Sequence, residues 1–187
     1  AEVGRYAHMA IYPYPAHLVS AAQLADGTNF TIRPIRPEDA QIEQAFVRNL
    51  SEQSCYFRFM DHIKELSESQ LARFTQIDYS RGMALIAVAQ QQGREVELGV
   101  ARYSINPDGE SGEFAIAVAD AMQGKGLGHK LMQSLMEAAA DVGLQTLQGE
   151  VLHTNTNMLE LMRRMGFALS ADPGDATLIN VQKSLQR

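Results

Sequence analysis

The sequence predicts one α+β (α/β) domain, with a sheet assembled first and a strand–loop–helix–strand–helix unit completing it. Three patterns predict this. Residues 29–33 and 83–118 carry apolar or alternating runs separated by turn signals, as strands do. A glycine-rich stretch at 123–128 then opens onto apolar residues at helical spacing. Strand-like residues 144–152 and a second helical segment follow. No internal repeat or low-complexity tract interrupts the order.

The domain is expected to begin near the turn dipeptide Asp26-Gly27. Asn29 to Arg33 alternates polar and apolar, like a half-buried strand. Pro37, followed by Glu38 and Asp39, has the composition of a helix start, because proline fits the first turn and acids favour the positive end of the dipole. That helix should reach about Leu50, with Ile42, Phe46 and Val47 inward. Ser51 to Phe59 continues helically, and Ser67 caps a third helix ending near Ile77. Met83 to Gln91 reads as a buried strand and Gln92-Gly93 as a hairpin turn. Val96, Leu98, Val100 and Ala101 begin the return strand, stopped by Asn106-Pro107-Asp108-Gly109. Glu113 to Val118 is the next strand. A helix from about Gly128 to Val142 carries Leu131, Leu135, Ala138 and Ala139 on one face, and Gly143 ends it. Leu144 to Leu152 is a strand, Asn155 to Met165 a short helix closed by Gly166, and Thr177 to Val181 the last strand.

Composition narrows the class. The 187 residues are 45% hydrophobic and 20% charged, which excludes extended disorder. A formal charge of −6 disfavours a protein that coats nucleic acid. No apolar run approaches the roughly 20 residues of a membrane helix. The single cysteine, Cys55, excludes an intrachain disulfide and fits a cytoplasmic setting. Residues 1–25, with Tyr6, Tyr12, Pro13, Tyr14 and Pro15, read as an N-terminal arm or linker from a longer chain, or as an arm packed on the domain; residues 26–187 read as the domain itself.

The loop Gln123-Gly124-Lys125-Gly126-Leu127-Gly128 lies between a strand and a helix. Its glycines let backbone approach a ligand, and the helix start aims free N–H groups and a positive dipole end at the same space. Together these suit a phosphate or pyrophosphate. A Walker A loop needs Ser or Thr after Gly-Lys, where Gly126 stands. A dinucleotide fingerprint needs a third glycine, where His129 or Leu131 stands.

Gln123-x-x-Gly126-x-Gly128 resembles the acyl-CoA pyrophosphate motif of the GNAT superfamily of N-acetyltransferases. The preceding strand Glu113 to Val118 resembles the strand that splays open in that fold to admit pantetheine. Asn155 and Leu161-Met162-Arg163-Arg164-Met165-Gly166-Phe167 resemble its second CoA motif. Within the superfamily the chain is similar to the C-terminal domain of bacterial Pat-type protein lysine acetyltransferases, on Tyr12-Pro13-Tyr14-Pro15, Ile32 to Asp39 and Tyr56-Phe57-Arg58-Phe59. The resemblance implies a mixed, mostly antiparallel sheet flanked by helices, with a splayed strand pair. It implies acetyl-CoA as co-substrate, held by Ile116, Ala117, Val118, Gln123, Gly124, Lys125, Gly126, Leu127, Gly128, His129 and Asn155, and no metal. It also implies a partner protein bearing the acceptor lysine, an acyl-CoA synthetase, and an N-terminal acyl-CoA-synthetase-like region.

Amide formation from a thioester requires the acceptor ammonium, with a reference pKa near 10.4, to lose a proton. The resemblance gives that role to Glu113; Glu110 and Glu150 are the reserve carboxylates. Alternation puts Glu113, Ala115 and Ala117 on one face, leaving room beside the carboxylate. Met162 stands where many members carry a tyrosine acid, and a thioether donates no proton. His129, His153 and the Arg163-Arg164 pair read first as surface residues; the alternatives are a base for His129, contact with CoA or substrate for His153, and contact with CoA phosphate for one of the arginines. Cys55 reads as a small buried residue and the methionines as core filler. The stretch from Glu38 to Ile77, with Glu43, Glu52, Asp61, Glu65 and Glu68, is expected to face the acceptor protein. Two rival functions stay open: acetylation of a small amine, and a CoA-sensing module without turnover.

Overall fold

Strand β3 (Gly82–Gln91) is buried on both faces from Gly82 to Ala89, and it organises the molecule. In this computed structural model, which describes residues 12–185, Met83, Leu85 and Ala87 enter one core and Ala84, Ile86 and Val88 enter the other. The period of two is what makes one strand serve two layers. The first core is completed by α4 (Leu127–Asp141), whose Leu131, Met132 and Leu135 are fully buried, and by Leu159 and Met162 of α5 (Thr156–Arg164). The second is covered by α1 (Ala40–Asn49), α2 (Glu52–Phe59) and α3 (Glu68–Thr75). Truncating a residue such as Leu131 to alanine would cost about 2–5 kcal/mol.

The remaining strands are β1 (Ser20–Gln23), β2 (Asn29–Pro34), β4 (Arg94–Ile105), β5 (Ser111–Val118), β6 (Thr146–Leu152), β7 (Ala168–Ala171) and β8 (Leu178–Ser184). They form one sheet in the order β1-β2-β3-β4-β5-β6-β8-β7. Every pairing is antiparallel except β5–β6. The expected mixed, mostly antiparallel sheet with helices on both faces is therefore present.

The parallel pair is short. Ser111 to Glu113 pair with Thr146 to Gln148, and beyond them, among the described residues, β5 and β6 share no ladder. The Phe114 ring occupies the fork: a Cβ on Gly149 would stand only 2.9 Å from it. A wedge on β5 and a missing side chain on β6 let the strands part. On β4 a bulge at Leu98 shifts the register, since Ala87 faces Gly99 and Val88 faces Glu97.

Two strands went unread in the sequence. Ser20–Gln23, assigned to the arm, is an edge strand against β2, and Asp26-Gly27 is the turn that joins them. Its Ser, Ala and Gln residues carry no apolar alternation. β7 is equally short, at the opposite edge. Pro37–Asp39 forms a 3-10 turn before α1. Of the arm, Tyr14 packs on the domain: its hydroxyl donates to the Pro34 carbonyl at 2.6 Å. Tyr6 and the rest of residues 1–11 lie outside the described residues. No helix among the described residues is long and apolar enough to cross a membrane.

Candidate active site

The end of β5, the loop and α4 meet as the sequence pattern requires. Gly124 and Gly126 have φ of 77° and 89°, in the left-handed region that side chains resist. A Cβ at either would meet nothing within 4 Å, so the space beside them is open. α4 closes its first hydrogen bond from the Lys130 N–H to the Gly126 carbonyl, at 3.2 Å. The N–H groups of Leu127, Gly128 and His129 lie ahead of that bond, and no acid occupies the first turn. Such a terminus fits a pyrophosphate. Gly128 serves packing instead: its Cβ would stand 3.2 Å from Leu161.

These elements wall a cleft of about 520 Å³. Ile116, Ala117, Val118, Gln123, Gly124, Gly126, Gly128, His129 and Asn155 all line it. The bare edge of β5 along this wall leaves peptide groups for a ligand's amides. Asn155 caps α5 by accepting from the Met158 N–H at 3.3 Å. Two expected residues do not line the cleft. The Leu127 side chain is buried in the core, and Lys125 turns away to pair with Asp26 at 3.2 Å.

The opposite wall, which sequence reasoning missed, is α2, through Gln53, Ser54, Phe57 and Arg58. A clasp ties it to the loop. Asp120 accepts from the Ser51 N–H at 3.0 Å, the Ser51 hydroxyl at 2.8 Å and the Ser54 hydroxyl at 3.0 Å. Burial pushes the Asp120 carboxyl up, but these donors outweigh it and hold it below the ordinary range. Gln123 donates to Ser54 at 3.3 Å and to the Val118 carbonyl at 3.2 Å.

Glu113 lines a second, polar depression of about 280 Å³ with Glu150 and Asp172. Phe114 and Ile116 enter the core under α4, and so do Leu147 and Val151. Glu113 and Glu150 therefore stand on the other face, at the foot of the splay. Burial, and then the negative charges of Glu113, Asp172 and Asp175, raise the Glu150 carboxyl. Glu110 sits in the β4–β5 turn and lines neither cavity.

Met162 is fully buried, so the position matching a tyrosine acid points into the core. His153 bonds the Thr177 carbonyl at 3.1 Å, away from the cleft. Arg163 and Arg164 both face Glu160, at 3.8 and 3.2 Å, and Arg164 reaches the cleft. Cys55 is buried, and burial raises its thiol, which makes it inert. Glu43, expected on the docking face, is 2% exposed.

Residues 29–168 match the acetyltransferase (GNAT) domain family. The chain is 35% identical to Acetyltransferase PA5475 of Pseudomonas aeruginosa over 156 residues, covering 83% of this chain and 84% of that protein. It is 27% identical to Acetyltransferase Pat of Mycolicibacterium smegmatis over 145 residues, covering 77% of this chain and 43% of that protein's length. The crystal structure of the GNAT domain of S. lividans PAT superimposes with a TM-score of 0.83 at 27% identity, over 92% of this chain and 99% of that one. With the splayed strands, the glycine loop and these matches together, the chain belongs to the GNAT family of acetyl-CoA-dependent acetyltransferases.

Proposed function

We propose that the chain acetylates lysine side chains of a target protein, an acyl-CoA synthetase, with Glu113 as general base. The observation that carries this reading is the separation of the two cavities across one splay. The donor cleft holds the glycine loop, and the acid-lined depression opens on the other face with Glu113 among its lining residues. A lysine side chain is long enough to reach Glu113 from an outer surface, whereas a small amine needs a pocket that encloses it. Similarity to Pat and to the PAT domain supports the same reading. The acids Glu113, Glu150 and Asp172 would draw a cationic acceptor, an attraction weakened by salt.

The chemistry follows from these groups. Glu113 takes a proton from the acceptor ammonium, directly or through water. The amine then attacks the thioester carbonyl, the C–N bond forms, the C–S bond breaks, and the nitrogen passes its second proton to the departing thiolate or to water. A CoA thiol resembles cysteine, with a pKa near 8.5, so the thiolate leaves readily without a side-chain acid at Met162. The test is a panel assay in which acyl-CoA synthetase protein, free lysine, spermidine and an amino sugar compete as acceptors. The folded protein should win by kcat/KM, and Glu113→Gln should lower kcat about 10²–10⁴-fold while acetyl-CoA affinity holds. A small amine that rivals the protein would overturn the acceptor class. Full activity in Glu113→Gln would overturn the base.

A further inference from the structure

Arg58 is a half-buried cation in the wall of the donor cleft. It makes no hydrogen bond or ion pair among the described residues. Its guanidinium lies 4.7 Å from the Phe59 ring centroid and 5.8 Å from that of Phe74. Arg102 of β4 stacks on Phe74 as well, at 4.5 Å; Glu43 of α1 stands 3.5 Å away and Arg102 donates to the Phe74 carbonyl at 3.2 Å, while its Nε and Nη2 have no hydrogen-bond partner. Neither oxygen of the neighbouring Glu97 has a hydrogen-bond partner. Burial, and then Glu43, push the Glu97 carboxyl well up, which favours its neutral form. With Glu97 neutral, two guanidinium groups face one carboxylate. Burial, and then Arg102, pull Arg58 down to about 10, against an opposing pull from Glu43.

The position of Arg58 says what would answer it. Ser54, one turn earlier on α2, touches Gln123 of the glycine loop at 3.3 Å. Arg58 is thus roughly 6 Å farther along α2 than the loop contact, on the helical rise. Arg102, its neighbour over Phe74, pairs in register with Ala115, about 10 Å back from the strand end at Val118. Arg58 therefore lies toward the thioester end of the cleft, away from the pyrophosphate end. It lines the cavity of Ile116 and Ala117 and not that of Glu113 and Glu150. A ligand for it arrives with the donor, not with the acceptor.

We propose that Arg58 is a carboxylate subsite for the acyl group, and that the chain also uses dicarboxylic acyl-CoA thioesters of the succinyl kind. This rests on the placement of acyl-CoA in the cleft. The transfer balances as acetyl transfer does. The acceptor nitrogen attacks the thioester carbon, the C–N bond forms and the C–S bond breaks. The sulfur leaves with the bonding pair, the nitrogen gives up two protons, one to the base before attack and one to the departing thiolate or to water after it, and the distal carboxylate is unchanged.

The experiment measures dissociation constants of acetyl-CoA and succinyl-CoA by calorimetry, and kcat/KM with each donor, for the wild type, Arg58→Met and Arg58→Lys. The wild type should transfer succinyl groups. The succinyl-to-acetyl ratio should fall roughly ten- to a hundredfold in Arg58→Met, the range for losing a charge-assisted hydrogen bond, and recover in part in Arg58→Lys. A ratio unmoved in Arg58→Met overturns the proposal, as does a wild type that rejects succinyl-CoA. If Arg58→Met does not fold, Arg58→Lys and the wild-type constants still decide. Gly126→Asp separates this failure from a wrong cleft: it should abolish binding of both donors, and unchanged acetyl-CoA binding there would overturn the placement instead.

Discussion

Two buried charge clusters lie on the face of the sheet covered by α1, α2 and α3, and they are built differently. In the first, Arg33 of β2 donates to both oxygens of Asp39 at 2.7 Å and to Glu95 at 2.7 Å, while Asp39 also accepts from the Arg36 N–H at 2.7 Å. Burial pushes the Asp39 carboxyl up, but the Arg33 hydrogen bonds and charge outweigh it and hold it low. In the second, Arg102 and Glu43 meet at 3.5 Å, and atoms of Glu43, Glu97 and Arg102 are buried without hydrogen bonds. The first cluster is saturated and fixes the approach to α1. The second is under-satisfied, and it borders the donor cleft through Arg58. Saturated polar networks rigidify, whereas incomplete ones persist where a ligand or a proton completes them.

The largest expected effect is on the saturated cluster. Asp39→Ala leaves the Arg33 guanidinium, whose side chain is 8% exposed, without its bidentate partner. Removing one member of a buried pair costs about 3–5 kcal/mol, read as a lower urea midpoint. A midpoint close to the wild type would erase the distinction between the clusters. Glu43→Gln should cost less, roughly 1–3 kcal/mol, the range for leaving a buried polar group without its partner. Its Arg102 contact is longer, and Glu97 beside it can ionise in its place. Equal losses in the two variants would mean that the second cluster is as structural as the first.

The sequence made some of this legible. β3 and α4 were readable because a long apolar run and a long helical stripe each admit one solution. The glycine loop was readable because its residues answer backbone requirements, which are local. β1 and β7 were not, because four-residue edge strands carry no period. Glu43 was placed among surface acids, although it precedes Phe46 and Val47 by three and four residues and so shares their buried face. Met162 follows Leu159 by three and is buried for the same reason. Arg58 stands in a stretch that signals the family, but its role depends on Phe74, Arg102 and β5, which only the tertiary fold brings together.

The smallest effect is the most specific to the second cluster. Glu97→Gln keeps the shape of Glu97 and removes its ionisation. The groups that face Glu97 are Glu43, Arg102 and Asp39. The folded carboxyl titrates above the unfolded glutamate value of about 4.3, so between those two values the folded state holds the extra proton. Stability then falls as pH rises through that window, by up to about 1.4 kcal/mol per pH unit for one full proton. Asp39, held low, contributes the opposite way: its stabilisation is present above the unfolded aspartate value of about 3.9 and is lost as pH falls through the folded one. Asp39 is common to both proteins and cancels when they are compared. Urea unfolding of wild type and Glu97→Gln from about pH 5 to pH 8 should therefore give a stability difference that grows with pH in favour of the variant. A difference that stays flat would mean that Glu97 ionises like an exposed glutamate. The second cluster would then be as well satisfied as the first, and the contrast between them would fail.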